Sequence, residues 1–220
     1  MSNYIKDIFA TPIMIVDSDN HDDNKTLVME CVEKFNHAYP LRKETCGNIL
    51  SLEKFRDLKT EIEKHCIHYF RMVCGVYVKP EDIIISNSWL NCVTNNVKLS
   101  RHAHRNSHIS GVYYVNYDYK VDPPIIFNKE TLYNTGNPLE AFFHIDPERD
   151  TPYNAYSHEL KIKEGQMCLF NSYLCHSHEA KQSSGNRVSL AFNCVLKHYI
   201  SGRSDRGTQY EVFIEEKQSN

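Results

Sequence analysis

Three histidines have the residue type and spacing of a metal site. His102 and His104 lie two apart, just before the apolar, β-branched and aromatic run at 109–115. Alternate residues of a β-strand point to the same side, so these two imidazoles can converge on one point. His176 ends a distant segment whose alternating apolar residues predict a buried strand. Three imidazoles on one face suit iron, zinc, copper or nickel and leave coordination positions open for a substrate.

An arginine on the following strand adds a possible anion clamp. Arg187 comes eleven residues after His176, and the short turn between them predicts that they are neighbours across a hairpin. A guanidinium can hold a carboxylate in bidentate fashion, and Ser189 can add a hydroxyl donor on the same face. The strand alternates polar with apolar residues, and a polar face turned inward implies a ligand there.

The composition limits the class of protein. At 220 residues, 41% of them hydrophobic, the chain can bury one core but is short for two, so we expect a single domain over 1–220. A net charge of −3 argues against a general nucleic-acid surface. No apolar run approaches the roughly 20 residues that span a bilayer, so we expect no membrane partner. The eight cysteines form no CxxC pair and no secretory signal precedes them, which predicts reduced thiols and a cytoplasmic protein (host-cell cytoplasm if viral).

The periodicity predicts two helices followed by many short strands. The first helix is capped at Asn24 or Thr26 and ended by Pro40, and the second runs from Ser51 to Gly75. The predicted strands are a short one within 1–16, then 82–86, 89–99, 109–117, 124–128, 140–145, 157–163, 166–171, 187–197 and 210–215. This order is typical of a mainly β (α+β) fold, an antiparallel double-sheet roll whose helices cover the larger sheet. We assign strand and helical support to 1–80, the core roll to 81–200, and a C-terminal loop and strand to 201–220.

Five sequence segments resemble a known family. The chain is similar to the 2-oxoglutarate- and iron(II)-dependent oxygenases, and most of all to a small subgroup found in bacteria and tailed phages. The matching segments cover most of the chain in the family's order: IFATP (8–12), SWLN (88–91), HAHRNSHISGVYYV (102–115), EGQMCLFNSYLCH (164–176) and NRVSLAFN (186–193). The resemblance implies a double-stranded β-helix (jelly-roll) core. It also implies iron(II), 2-oxoglutarate and O2 as cofactor and cosubstrates, and hydroxylation of a substrate with release of succinate and CO2.

The resemblance also implies roles for residues that would hold the cosubstrate. Arg187 and Ser189 match the family's RxS element and would bind the distal carboxylate of 2-oxoglutarate. Tyr114 or Tyr113, together with Asn91, would project from neighbouring strands toward it.

The metal ligands depart from the family pattern at one position. By resemblance His102 and His176 are iron ligands, but His104 stands where the family has a carboxylate. Either three histidines hold the iron, or His144 and Asp146, which form an HxD of their own, join His176 instead. We favour His102 and His104, because the gap from Asp146 to His176 leaves few strands between the ligands, whereas this roll places several there.

Other functions remain open at this stage. One is a cupin-like three-histidine dioxygenase that uses no 2-oxoglutarate. A second is a binding or virion-structural jelly roll without activity, and a third, weaker one is a zinc hydrolase, for which no general base can be identified. The substrate is unassigned among a protein side chain, a nucleobase and a small metabolite, and the loop at 129–157 is predicted to cover it. Oligomeric state is not predicted.

Overall fold

The structure is a computed structural model that describes residues 10–38, 48–93, 98–129, 155–180 and 186–197. The elements in chain order are β1 (Ile13–Asp17), α1 (His21–Ala38), α2 (Arg56–Met72), β2 (Ile83–Val93), β3 (Leu99–His102), β4 (Ile109–Asn116), β5 (Ile126–Asn128), β6 (Ser157–Glu159), β7 (Gln166–Asn171), β8 (His176–His178) and β9 (Arg187–Leu196). Neither α1 nor α2 is long and apolar enough to cross a bilayer.

The strands form two antiparallel sheets. The larger has the order β1-β7-β4-β9-β2 and the smaller the order β3-β8-β5-β6. From β2 onward the chain alternates between them: β2 is in the larger sheet, β3 in the smaller, β4 in the larger, β5 and β6 in the smaller, β7 in the larger, β8 in the smaller and β9 in the larger. This alternation winds the chain into a double-stranded β-helix and confirms the predicted mainly β jelly roll.

The main apolar core lies where the helices meet the larger sheet. Buried side chains of α2 recur every three or four residues, which places them on one helix face: Leu58, Ile62, Cys66, Tyr69 and Phe70. They form one cluster with Val28 and Val32 of α1 and with Leu190 and Phe192 of β9. Each large apolar side chain buried here contributes about 1.5–3 kcal/mol relative to exposure. The helices thereby support the strand that also carries Arg187.

A second apolar cluster lies between the two sheets. Tyr114 of β4 and Phe170 of β7 come from the larger sheet, and Phe127 of β5 comes from the smaller. The rings of Phe127 and Phe170 meet edge to face with centroids 4.9 Å apart. This cluster leaves space between the sheets for a cavity.

Several predicted element boundaries are wrong. The strands predicted at 82–86 and 89–99 are one strand, β2, and Leu99 belongs to β3 in the other sheet. A register shift between Ile85 and Asn87 absorbs the polar residues that suggested a break. α1 begins at His21, because Asp22 and Asp23 occupy its first turn, where carboxylates interact well with the helix dipole.

The second helix also starts later than predicted. α2 begins at Arg56 rather than Ser51, because two 3-10 turns, Ile49–Ser51 and Glu53–Phe55, precede it. The predicted strands at 140–145 and 210–215 and almost all of the predicted covering loop lie outside the described residues. The division into one domain over 1–220 stays a prediction.

Candidate active site

The three histidines of the sequence pattern meet in space. His102 at the end of β3 pairs with His176 at the start of β8 in the smaller sheet. His104 lies two residues beyond β3, where its backbone N–H donates to the carbonyl of Ser172 at 2.8 Å. One ligand nitrogen from each ring lies within 4.8 Å of the other two. Three imidazole nitrogens this close together can share one ion.

Hydrogen bonds set the same tautomer in all three rings. The nearest oxygen to each Nδ1 can only accept, so Nδ1 carries the proton and Nε2 keeps its lone pair for a metal; the Ser110 hydroxyl, 3.2 Å from Nδ1 of His104, can accept there as well. The bonds run from His102 to the Ser100 carbonyl (2.9 Å), from His176 to the Leu174 carbonyl (2.9 Å) and from His104 to the Asn193 side-chain carbonyl (2.6 Å). Fixed in this way, the rings are preorganised as ligands.

Burial favours the uncharged form of His104 and His176. It lowers the pKa of His176 to about 4, and the neighbouring His102 and His104 lower that pKa further, against a hydrogen bond to the Leu174 carbonyl. Burial likewise lowers the pKa of His104, against its bond to Asn193. Metal coordination requires the neutral ring, so both groups are in the binding form at neutral pH.

The cosubstrate candidates line the same cavity as the histidines. This cavity measures about 700 Å³, a size that holds a small molecule, and both sheets line it. Ser189 of β9 pairs with Asn91 of β2 on one side and with Tyr114 of β4 on the other, so the three residues form a row across the sheet. Arg187 lies two residues from Ser189 on the same face and also lines the cavity. His178, which its spacing from His176 predicts to support the site rather than to be a ligand, lines the cavity as well.

Arg187 and Tyr114 present unused polar groups to the cavity. Arg187 is 4% exposed, and among the described residues its Nε has no hydrogen-bond partner. The hydroxyl of Tyr114 is buried and lacks a partner in the same part of the chain. Burial raises the pKa of Tyr114 well above its usual value although Arg187 opposes the shift, so the phenol stays a donor. Unsatisfied buried donors are costly, and an anion bound between them would satisfy both.

One neighbour of this arginine, Tyr117, is not predicted by the sequence. The guanidinium carbon of Arg187 lies 5.8 Å from the ring centroid of Tyr114 and 5.8 Å from that of Tyr117. Tyr117 lies at odd spacing from Tyr114, so the predicted strand at 109–117 would place it on the opposite face. The strand instead ends at Asn116, with a register shift between Tyr114 and Asn116. The two rings hold the guanidinium without neutralising its charge.

The donor set fits both iron(II) and 2-oxoglutarate. Three neutral imidazoles suit a divalent ion, and a buried guanidinium with hydroxyl neighbours suits a carboxylate. No Asp or Glu is found among the described residues of the cavity wall. An ion bound by neutral ligands therefore keeps its full charge, and a dianion such as 2-oxoglutarate is the matching partner.

One detail of the sequence prediction needs correction, and the two tyrosines that it left open take different positions. Arg187 and His176 are not hairpin neighbours, because β8 pairs with β3 and β5 whereas β9 pairs with β2 and β4, so the two face each other from different sheets. Of the two tyrosines left open, Tyr114 lines the cavity, whereas Tyr113 points to the core and its hydroxyl lies 2.7 Å from Nδ1 of His21. The alternative ligands His144 and Asp146 lie outside the described residues.

The sequence matches one family. The model of the family described as "Putative 2OG-Fe(II) oxygenase" matches residues 87–193, which include every candidate site residue described above. The chain belongs to the 2-oxoglutarate- and iron(II)-dependent oxygenases. The oxygenase therefore uses iron(II), 2-oxoglutarate and O2, as predicted. No sequence among the curated proteins matches it.

Solved structures share the fold of this oxygenase at low sequence identity. HygX from Streptomyces hygroscopicus with iron bound has 11% identity and a TM-score of 0.55, over 84% of this chain and 82% of that chain. The same protein with nickel and 2-oxoglutarate bound gives a TM-score of 0.51 at 11% identity, over the same shares of the two chains. A prolyl-4-hydroxylase from Pseudomonas putida has 11% identity and a TM-score of 0.54, over 86% of this chain and 93% of that chain. At such identities the likeness establishes the jelly roll alone.

Proposed function

We propose that His102, His104 and His176 hold the iron(II) of this oxygenase, and that Arg187 with Ser189 holds the distal carboxylate of 2-oxoglutarate. One observation carries the proposal: three preset Nε2 lone pairs and a buried guanidinium with an unused N–H line a single cavity. When bound, iron(II) and 2-oxoglutarate supply the oxidation of a substrate C–H bond by O2, with succinate and CO2 released.

The chain's own residues would bind, orient and exclude water. Arg187 would fix the far end of 2-oxoglutarate, leaving its keto acid end toward the histidines. Ser189 and Tyr114 would each donate a hydroxyl hydrogen bond to the same carboxylate, and Asn91 would lie beside them on β2. The phenylalanine Phe170, whose ring centroid lies 5.0 Å from that of His176, would help to keep water from the ligands.

The identity of the third ligand can be tested with two matched variants. We expect His104→Ala to lose most of its affinity for manganese(II), and Asp146→Ala to keep it. Equilibrium dialysis of the purified variants, with wild type as reference, measures this directly. The opposite ranking would assign the site to His144, Asp146 and His176.

A second experiment separates this function from a three-histidine dioxygenase that uses no 2-oxoglutarate. Three imidazoles alone would suit either reaction, but the buried guanidinium favours the diacid cosubstrate. We expect the iron-loaded protein to convert 2-oxoglutarate into succinate under O2, and the conversion to require added iron. Consumption of O2 on a substrate with no loss of 2-oxoglutarate would favour the other enzyme, and a protein that binds neither iron nor 2-oxoglutarate would favour a binding module.

The substrate belongs to one of three classes that we keep as candidates: a protein side chain, a nucleobase or a small metabolite. One structural neighbour is a prolyl-4-hydroxylase, which supports the first class by fold alone. We also propose a bacterial or phage origin from the sequence resemblance, and a cytoplasmic site of action, which the free state of the described cysteines supports. Succinate release stimulated by peptides, nucleotides or metabolites in parallel would identify the class.

A further inference from the structure

The three histidines differ in what holds them. His102 and His176 each bond to the main-chain carbonyl two residues earlier, so their orientation follows from local backbone. His104 instead bonds to the side chain of Asn193, 89 residues away on β9, at 2.6 Å. The hydroxyl of Ser110 lies 3.2 Å from the same nitrogen, but it can donate as well as accept, so Asn193 alone of the two offers Nδ1 an oxygen that must accept.

The amide of Asn193 is itself held in one orientation. It is 3% exposed, its Nδ2 donates to Oδ1 of Asn87 at 2.9 Å, and its Oδ1 accepts from the hydroxyl of Ser110 at 2.7 Å. Both bonds place the amide oxygen toward His104 and the amide nitrogen away from it. A flipped amide would set a donor against Nδ1–H of His104, and Asn87 would have to turn its own amide as well to keep its bond to Asn193.

This orientation decides which nitrogen of His104 carries the proton. With the oxygen of Asn193 as acceptor, Nδ1 keeps its hydrogen and Nε2 stays free. Without it, a half-buried imidazole can place its hydrogen on Nε2 and lose the lone pair that faces His102 and His176. The hydroxyl of Ser110 lies 3.2 Å from Nδ1 of His104 and donates to Oδ1 of Asn193 at 2.7 Å. Once the oxygen of Asn193 is removed, that hydroxyl is free to donate to Nδ1, which favours the hydrogen on Nε2.

We propose that Asn193 is the positioning residue that makes His104 a metal ligand in place of a carboxylate. The proposal rests on the proposed ligand set and adds to it the reason why an imidazole works at this position. Asn193 follows Arg187 and Ser189 at even spacing on the same strand. A single strand, β9, would then hold the cosubstrate at one end and orient a metal ligand at the other.

The test compares Asn193→Ala with Asn193→Asp in the metal-free protein. Two-bond ¹⁵N–¹H correlations of the imidazoles report which nitrogen is protonated, and a competition titration with a chelator gives the affinity for zinc. In wild type we expect the Nδ1–H form of His104. In Asn193→Ala we expect that single form to be lost and zinc affinity to fall about 10- to 100-fold, the usual loss for removing the partner of a ligating histidine.

Asn193→Asp retains the acceptor, and Asn87 can turn its amide to donate to the new carboxylate. We expect this variant to keep the Nδ1–H form and to bind zinc at least as tightly as wild type. If Asn193→Ala does not fold, Asn193→Asp decides the matter alone: loss of both the tautomer and zinc affinity there would overturn the proposal. An unchanged tautomer and affinity in a folded Asn193→Ala would overturn it as well.

Ser107→Ala serves as the matched control. Ser107 is 5% exposed, and its hydroxyl bonds to the backbone carbonyl of His104 at 3.2 Å and to the hydroxyl of Ser172 at 2.9 Å. Among the described residues, no hydrogen bond joins it directly to Nδ1 of His104 or to Asn193. We expect it to keep the tautomer and the zinc affinity. A loss equal to that of Asn193→Ala would mean that any loosening of this loop suffices, which would overturn the specific role. Wild-type protein that fails to bind zinc would instead remove the ligand assignment on which the proposal rests.

Discussion

The two faces of β9 carry different kinds of side chain. On the helix-facing side, Leu190 and Phe192 are fully buried in the main apolar cluster. On the cavity side, Arg187, Ser189 and Asn193 are just as buried, at 4%, 1% and 3% exposure. Burial therefore does not distinguish the faces, whereas the satisfaction of polar groups does.

This difference in hydrogen bonding indicates which face of β9 stabilises the fold and which face can bind a ligand. The apolar face needs no ligand, because its side chains pack against the helices and the neighbouring strands. On the cavity face, the amide of Asn193 has hydrogen-bond partners. Nε of Arg187, at the other end of the strand, has none among the described residues. The apolar face should accordingly govern stability, and the cavity face should govern binding.

The largest effect should come from the apolar face. Phe192→Ala should lower the free energy of unfolding by about 3–5 kcal/mol, because it leaves a cavity beneath the helices. The ring of Phe192 packs directly on Gly111, which has no side chain with which to fill the gap. Denaturant unfolding of the metal-free protein measures the loss. A loss below about 1 kcal/mol would mean that this face is not the main source of stability.

Arg187→Ala should weaken 2-oxoglutarate binding and leave the stability of the fold unharmed. We expect 2-oxoglutarate affinity to fall by roughly 2–5 kcal/mol, as when one partner of a buried charge pair is removed, with a much smaller change in metal affinity. The metal-free fold should be no less stable, because a buried guanidinium with an unused donor is gone. Calorimetric titration of the manganese-loaded protein measures the first effect and denaturant unfolding the second.

Arg56→Ala is the control for this prediction, since it removes an exposed arginine whose two partners, Glu53 and Asp57, are also on the surface. It should change neither quantity measurably. If Arg187→Ala bound 2-oxoglutarate like wild type, the clamp assignment would be refuted.

The smallest effects should separate two adjacent tyrosines of β4. Tyr114→Phe removes a partnerless hydroxyl, so it should weaken 2-oxoglutarate binding by about 0.5–1.5 kcal/mol without lowering stability. Tyr113→Phe removes a hydroxyl bonded to His21, so it should cost about 1 kcal/mol of stability and leave 2-oxoglutarate binding unchanged. Calorimetric titration with 2-oxoglutarate and denaturant unfolding measure these two quantities for both variants. Equal behaviour of the pair would contradict the division into a structural face and a binding face.

Much of this division is predictable from the sequence because a strand has a period of two. The alternation from Arg187 to Asn193 already separates the two faces, and the spacing of His102 and His104 already directs both toward one point. The family's order of motifs then links them to His176. These are local patterns, and the structure keeps each of them.

What the sequence could not predict depends on pairings between distant segments. β8 has three residues, too few to show a period, so the sequence predicts a hairpin with β9, whereas β8 lies in the smaller sheet. The hydrogen bond from His104 to Asn193 spans 89 residues, and no pattern in either segment predicts it. Tyr117 reaches Arg187 only because β4 lies beside β9 in the sheet.

The most direct measurement is a crystal structure of the protein with manganese(II) and 2-oxoglutarate bound. It should show the ion coordinated by the Nε2 atoms of His102, His104 and His176, with the distal carboxylate of 2-oxoglutarate hydrogen-bonded to Arg187. An ion coordinated by Asp146, or a 2-oxoglutarate whose distal carboxylate lies away from Arg187, would contradict the account.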